Sequence, residues 1–273
     1  MKIAVFGSNG MAGHTIVKYL KSCNYDVTTV ARNNANISCD ITDISQVDNT
    51  LEQLKKYDYI INCIGLLVAP SINRPDLAIK INSWFPRYLE YKMTSSAKII
   101  HLSTDCIFDG SKGPYIESDY PSETNAYGTS KRLGEINNTK DITMRTSIIG
   151  PELNADGTGL LNWILTNKDK TVKGYANALW NGITTLQLAK CIEQYIMNPA
   201  VTGIYHVVNN QYSISKYNLL CLINDTYQLN KTIDEHFLPK TVNKILVDSR
   251  LQYDWNIVDY KNQLNDLLAF TGC

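Results

Sequence analysis

The chain has 273 residues, 44% of them apolar, and 26 basic side chains balance 26 acidic ones. At about 100–200 residues per domain, this length holds one large domain or two small ones, with material for a sizeable core. Zero net charge without long charged runs argues against a nucleic-acid or anionic-membrane partner held by bulk electrostatics, and no stretch offers the ~18 apolar residues of a membrane span.

"KIAVF" (2–6) predicts a buried strand, and the periodicity of "MAGHTIVKYLKS" (11–22) predicts a helix. Strands follow at "DVTTV" (26–30) and "NISC" (36–39), then a helix near 43–56 and the strand "DYIINC" (58–63). A long helix is expected over 76–93, kinked or restarted at Pro86, which has no backbone N–H to donate. "KIIHLST" (98–104) predicts a strand, 105–121 a loop, 123–138 a helix and "DITMRTS" (141–147) a further strand. Strands alternating with helices predict an α/β fold, a doubly wound parallel sheet with helices on both faces.

After Gly150 the rhythm breaks. A loop is expected over 150–159, a short helix over 160–168 and a longer one over 184–198. Thr184 and Gln187 have capping-box spacing at its start. A strand at 203–208, a helix at 215–229 and a mixed tail complete the reading. The seven cysteines (23, 39, 63, 106, 191, 221 and 273) are odd in number and lack C-x-x-C spacing. That argues against a disulfide framework or zinc site and for a reducing, cytoplasmic compartment. The apolar run of "MKIAVFGSNG" is too short for a signal peptide. The four histidines are scattered, so no metal site is expected.

The first strand runs into "GSNGMAG": Gly7, Ser8, Asn9, Gly10, Met11, Ala12 and Gly13. Glycines here permit a tight turn and close backbone approach to a pyrophosphate, and the helix that follows offers its N-terminal N–H groups. Between a predicted strand and helix, the loop reads as a dinucleotide site. Users of NAD tend to place an acid after the second strand for the ribose 2′-hydroxyl. This chain has "TTVARNN", with Arg32, which suits the 2′-phosphate of NADPH; NADH stays open. Asp40 and Ile41 are placed for the adenine, although Asp40 could instead cap the next helix. Cys63, Ile64 and Gly65 follow the fourth strand and are small enough to pass beneath an adenosine.

Tyr127 and Lys131 in "NAYGTSK" share one face of a predicted helix. A nearby ammonium lowers a phenol's pKa, making the pair a tunable acid–base group. Y-x-x-x-K also occurs by chance on helix surfaces, so its context matters. Ser103 or Thr104 ends the preceding strand, where ligands of open α/β sheets bind.

Taken in order, the glycine loop, Asp40-Ile41, "NCIG", Asn82, "STDCIFDG" and "YGTSK" resemble the extended short-chain dehydrogenase/reductases. The likeness is greatest to the dTDP-4-dehydrorhamnose reductase branch, carried by "HLSTDCIFDG", "YGTSKRLGE" and "MRTSIIG", and it spans roughly residues 1–230. The resemblance implies an NADP-binding Rossmann domain at 1–150 and a mainly substrate-binding lobe at 151–273, with segments near 171–197 returning to the first. It implies Thr104, Tyr127 and Lys131 as the catalytic triad, with Asp105, Cys106 and Trp180 near a nucleotide-sugar substrate. Asn82 would support the active-site helix and cofactor, and Thr146 and Ser147 would lie near the nicotinamide. Trp163 and Asn181 are further candidates in the lobe, with core packing as the alternative for both tryptophans.

The implied reaction is reduction of the 4-keto group of a UDP- or dTDP-linked 6-deoxyhexulose. The product would be an activated deoxysugar such as UDP-N-acetyl-L-rhamnosamine or dTDP-L-rhamnose. Two departures stand out. Cys106 replaces an aromatic residue found in many relatives, and no carboxylate lies between Gly13 and Asp26 for the metal that bridges some dimers. A homodimer without metal stays open. The rival readings are an epimerase or dehydratase of the same fold, and a regulatory subunit like the β subunit of methionine adenosyltransferase. Dehydratases usually carry Asp-Glu after the catalytic Thr, where this chain has Asp105-Cys106.

Overall fold

The computed structural model describes residues 1–154, 157–250 and 252–272. Residues 155 and 156 of the expected loop, and Cys273, lie outside the described residues. Seven strands build the main sheet: β1 (Lys2–Phe6), β2 (Asp26–Ala31), β3 (Ile37–Ser38), β4 (Tyr59–Asn62), β5 (Lys98–Thr104), β6 (Ile142–Thr146) and, from later in the chain, β11 (Gly203–His206). All neighbours run parallel, in the order β11, β6, β5, β4, β1, β2, β3. The order reverses between β1 and β4, and ligands of open α/β sheets bind at the strand ends there.

The central strands are apolar on both faces because both faces are covered. Ile3, Val5, Ile61 and Ile100 face one core, which α1 (Met11–Ser22) and α8 (Thr185–Met197) close with Ile16, Leu20, Leu188 and Ile192. Ala4, Phe6, Ile60 and Ile99 face the other, closed by α2 (Ile44–Leu54) and α5 (Phe85–Lys92) with Val47, Leu51, Phe85 and Leu89.

The helix expected over 76–93 is in fact broken. A short α3 (Val68–Asn73) and α4 (Pro75–Ala78) lead into a π-helical segment, Ile79–Trp84, and α5 restarts with Pro86 in its first turn. The helix expected over 123–138 is the shorter α6 (Ala126–Leu133). Asn125 caps it by accepting from the Gly128 N–H at 2.9 Å, which leaves Glu123 outside. The capping box at Thr184 is half made. Thr184 accepts from the Gln187 N–H at 3.2 Å, but the Thr184 N–H goes to Gln263 at 2.9 Å.

A second cluster of elements holds β7 (Ile148–Ile149), α7 (Leu160–Thr166), β8 (Thr171–Tyr175), β9 (Ala178–Trp180) and β10 (Ile183–Thr184). It continues with β12 (Ile214–Ser215), α9 (Lys216–Thr226), β13 (Thr232–His236), β14 (Val242–Asn243) and α10 (Tyr260–Thr271). Leu161, Ile164, Leu219, Ile223, Leu264 and Leu267 form its core. Segment 242–247 returns to the loop after β5. The Asn243 N–H donates to Gly110 at 2.8 Å, and Tyr115 exchanges backbone hydrogen bonds with Ile245 and Val247. No described helix is long and apolar enough to cross a membrane.

Candidate active site

The glycine loop turns where β1 ends. Gly7 has φ +74°, and a Cβ on Gly13 would sit 2.1 Å from the Gly7 carbonyl oxygen, so α1 starts pressed against the turn. Gly10 provides no side-chain cap, which leaves the first-turn N–H groups of α1 to an anion. Beside the loop lies a cleft of about 630 Å³. Gly7, Asn9, Gly10, Arg32, Asp40, Ile41, Cys63, Ile64 and Gly65 all line it. Ser8 is buried, its hydroxyl directed to the Val30 carbonyl, and Met11, Ala12 and Gly13 belong to the helix start rather than the cleft wall.

Arg32 is exposed at the cleft, and the residues after it are asparagines, so no acid meets a ribose there. Asp40 accepts from Thr42 N–H at 2.9 Å and from its hydroxyl at 2.8 Å. These bonds hold its carboxyl below the usual range, and the Arg32 charge adds to them. Asp40 does not cap α2; Asp43 does, accepting from Ser45 and Gln46. The residues present fit an NADP-type dinucleotide: a glycine turn for the pyrophosphate, an exposed guanidinium and no competing carboxylate at the end of β2.

Thr104 ends β5, buried, with its hydroxyl 3.2 Å from Asp105 Oδ1 and accepting from the Cys106 N–H at 3.1 Å. Tyr127 is half-buried. Burial raises its pKa, Cys106 and Asp105 add to the rise, and the Thr104 hydroxyl opposes it. Lys131 is buried and donates from Nζ to the Leu102 carbonyl at 2.7 Å. Burial pushes it down to about 8, against the opposing charges of Glu135 and Cys63. The expected lowering of the phenol by the ammonium is therefore not what the structure shows. Lys131 titrates first, so it is already neutral when Tyr127 would ionise. Asp105 is raised by burial, with Lys244 and Lys216 opposing, and burial takes Cys106 up to about 12.

Several candidates fall elsewhere. Asn82 lies in the π-helical segment, and its amide is fully engaged. It accepts from Leu66 N–H at 2.7 Å and donates to the Leu66 carbonyl and to Ser130 Oγ, both at 3.0 Å. It braces the loop after Gly65 against α6 and does not line the cleft. A π-helical turn at such a position is common near functional sites. Thr146 is buried with its hydroxyl turned to the Ser147 carbonyl, and Ser147 Oγ accepts from the Trp180 indole at 2.9 Å. Trp180 is only 6% exposed and stacks on Tyr260, so of its two expected places, substrate lobe or core, it takes the second core. Asn181 is likewise spent on the backbones of Asn209 and Leu246, while Trp163 is partly exposed on α7.

Sequence reasoning missed Glu135, Arg145 and Lys244. Glu135 and Arg145 form a bidentate buried pair at 2.7 and 2.8 Å, and Lys244 approaches Glu123 to 3.7 Å from the returning segment. The eight-residue interval from Tyr127 to Glu135 was the one available signal. Among the described residues no group of three or more His, Cys, Asp or Glu gathers for a metal.

A parallel seven-stranded sheet with a glycine-loop cleft at its switch point defines a Rossmann-type fold of the short-chain dehydrogenase/reductase architecture. The family model described as "RmlD substrate binding domain" matches residues 1–246, and the chain belongs to that family. Methionine adenosyltransferase 2 subunit beta of Danio rerio is 23% identical over 255 residues, 88% of this chain and 77% of that one. A dTDP-4-keto-6-deoxy-D-glucose reductase of Streptomyces niveus is 33% identical over 134 residues, 48% of this chain and 45% of that one. The crystal structure of dTDP-4-dehydrorhamnose reductase from Bacillus anthracis, in complex with NADP, matches with TM-score 0.84 at 22% identity, covering 99% of both chains.

Proposed function

We propose that the protein is an NADPH-dependent reductase of the 4-keto group of a nucleotide-linked 6-deoxyhexulose. The observation that supports the reading is that α6 brings Lys131 Nζ to the Leu102 carbonyl near the end of β5 at 2.7 Å and Tyr127 to the Thr104 hydroxyl. The first residues of α1 and Gly7 would hold the pyrophosphate, Arg32 the 2′-phosphate, Asp40 and Ile41 the adenine, and Lys131 the nicotinamide ribose. NADPH, when bound, supplies the hydride that reaches C4 of the sugar.

The rest falls to the chain. Tyr127, kept protonated by its burial, gives its proton to the developing alkoxide. The Thr104 hydroxyl, directed at Asp105 in the structure, would turn its one proton to the same oxygen. Lys131, with a pKa near 8, is still an ammonium at neutral pH and stabilises that phenolate as it forms. Asp105 and Cys106 wall the sugar side. The second cluster of elements, returning Lys244 toward Asp105, would bind the nucleotide part of the substrate. The Asp105-Cys106 pair lacks the second carboxyl side chain that eliminating water from a sugar would use, which favours reduction over dehydration.

The test is a panel of UDP-, dTDP- and GDP-linked 4-keto-6-deoxy sugars with NADPH, products identified by NMR. Oxidation of NADPH with one of them, giving the 4-hydroxy sugar, is expected. No turnover on the whole panel would remove the reductase reading and favour a partner-binding role like that named for the methionine adenosyltransferase relatives.

A further inference from the structure

We propose that Glu135 is a positioning residue of the reaction: locked by Arg145, its carboxylate fixes the strand end that carries Thr104 and places a negative charge beside the Lys131 ammonium. The inference rests on the reductase reading above, and it concerns a residue outside the Thr–Tyr–Lys group.

Glu135 stands just past α6, one turn beyond Lys131. Its side chain is 5% exposed and that of Arg145 4%. Glu135 Oε1 accepts from Arg145 Nε at 2.7 Å and Oε2 accepts from Nη2 at 2.8 Å, a fork-on-fork pair. Oε1 also accepts from Ser103 Oγ at 2.7 Å. Ser103 precedes Thr104, so this carboxylate holds the end of strand β5 next to the Thr104 hydroxyl. Arg145 is fixed in turn. Its Nη1 donates to the Glu117 carbonyl at 3.2 Å, and its guanidinium lies over the Phe108 ring.

A buried ion pair of this kind is not needed for stability alone, since apolar residues of like volume often serve as well or better. Besides Tyr127, one turn earlier on α6, three titratable groups face Lys131 from the surrounding elements: Glu135 beyond α6, Cys63 beyond β4 and His101 on β5. Burial keeps His101 neutral, with Nδ1 paired to Asn62 at 3.1 Å, and burial keeps the Cys63 thiol protonated to about 12. Glu135 is the one of the three that is paired with a guanidinium, through both carboxylate oxygens. Of the ion pair, Glu135 is the member that acts on Lys131, opposing the effect of burial.

The experiment uses the full chain carrying Glu135→Gln with Arg145→Met, which removes both charges and avoids stranding one. Protein labelled with ¹⁵N at the lysine side chains, with the Lys131 signal assigned through Lys131→Met, reports the Lys131 titration without any turnover. In the wild type the midpoint is expected at about 8. In the double variant it should fall by about one pH unit, the low end of what a neighbouring opposite charge gives. At that wild-type midpoint the ammonium fraction, and kcat with it, should drop roughly fivefold, with KM little changed. Ser103→Ala should lower kcat and leave the Lys131 midpoint in place.

A double variant that loses thermal stability but keeps the wild-type midpoint would overturn the electrostatic part. A Ser103→Ala variant with wild-type kcat would overturn the strand-end part. A shifted midpoint in a protein that reduces no ketosugar would support the Glu135–Lys131 coupling while the reductase reading fails.

Discussion

Lys131 gives the sharpest test of how burial shapes this site. Its ammonium is taken out of water, and its pKa falls from 10.5 to about 8 on folding. A tenfold change in proton affinity corresponds to about 1.4 kcal/mol, so the charged form costs the fold about 3 kcal/mol. The folded-state pKa lies below the unfolded one. Between about pH 8 and pH 10.5 the unfolded chain therefore holds a proton that the folded chain has released. Stability due to this group rises with pH across that window, and the penalty is fully present below it. Lys131→Met removes the group. The variant also loses the bond to the Leu102 carbonyl, but that offset varies little with pH. The measurement is urea denaturation of wild type and variant in parallel across the same window, compared as a difference so that other titrations cancel. The stability of wild type relative to variant should improve by about 3 kcal/mol from the neutral to the alkaline end. A difference that stays flat with pH would show that Lys131 is not held in a low-dielectric environment. The assigned order of titration, Lys131 before Tyr127, would then be wrong.

Arg32→Ala should weaken NADPH binding by roughly 10- to 150-fold, the equivalent of the ~1.5–3 kcal/mol of a hydrogen bond to a charged group; NADH titration should change little, and equal losses would clear Arg32 of a 2′-phosphate role. Tyr127→Phe keeps the ring and removes one hydroxyl, so NADPH should still bind while turnover falls by ~10²–10⁴; steady-state kinetics beside direct titration decide this. Gly13→Ala puts a Cβ 2.1 Å from the Gly7 carbonyl oxygen, so α1 must back away and cofactor affinity should collapse before the fold does, read by NADPH titration and circular dichroism together. Supplied with UDP-N-acetylglucosamine and no helper enzyme, the protein should form no 4-keto product, and its appearance by NMR would revive the dehydratase reading.

What was legible in the sequence depended on how local the deciding interactions are. β1, β4 and β5 are short apolar runs buried on both faces, and α1 follows its glycine turn directly; each could be read within a dozen residues. The cleft assignments at Gly7, Gly10, Arg32, Asp40 and Cys63–Gly65 share that property, since each stands immediately beyond a strand of the sheet. The parallel pair β8 and β13 was not legible. "TIDEH" is largely exposed and has no alternation to detect; β8, some sixty residues earlier, gives it its pairing. The break of the 76–93 helix into α4, a π-helical turn and α5 was legible only at Pro86. The π turn contains Asn82, whose carbonyl lies against Gly134 so closely that a Cβ there would come within 1.9 Å, a contact between residues some fifty apart.

Trp180 and Lys131 show why residue type alone misleads about a site. A tryptophan after a loop invites a stacking role, yet its indole N–H is spent on Ser147 and its ring on Tyr260, both chosen by the tertiary fold. The spacing of Tyr127 and Lys131 suggested a direct electrostatic gift from ammonium to phenol. Burial depresses the amine and raises the phenol, so the two titrate in the order that leaves both protonated at neutral pH. A proton donor needs that state before the hydride arrives, and it needs the ammonium at the moment the phenolate appears. The pair is therefore tuned first by burial, and at Lys131 the Glu135 carboxylate, held by Arg145 and Ser103, opposes it. Those three come from the end of one helix and two neighbouring strands, and only the parallel pairing of β5 with β6 brings them within reach of each other.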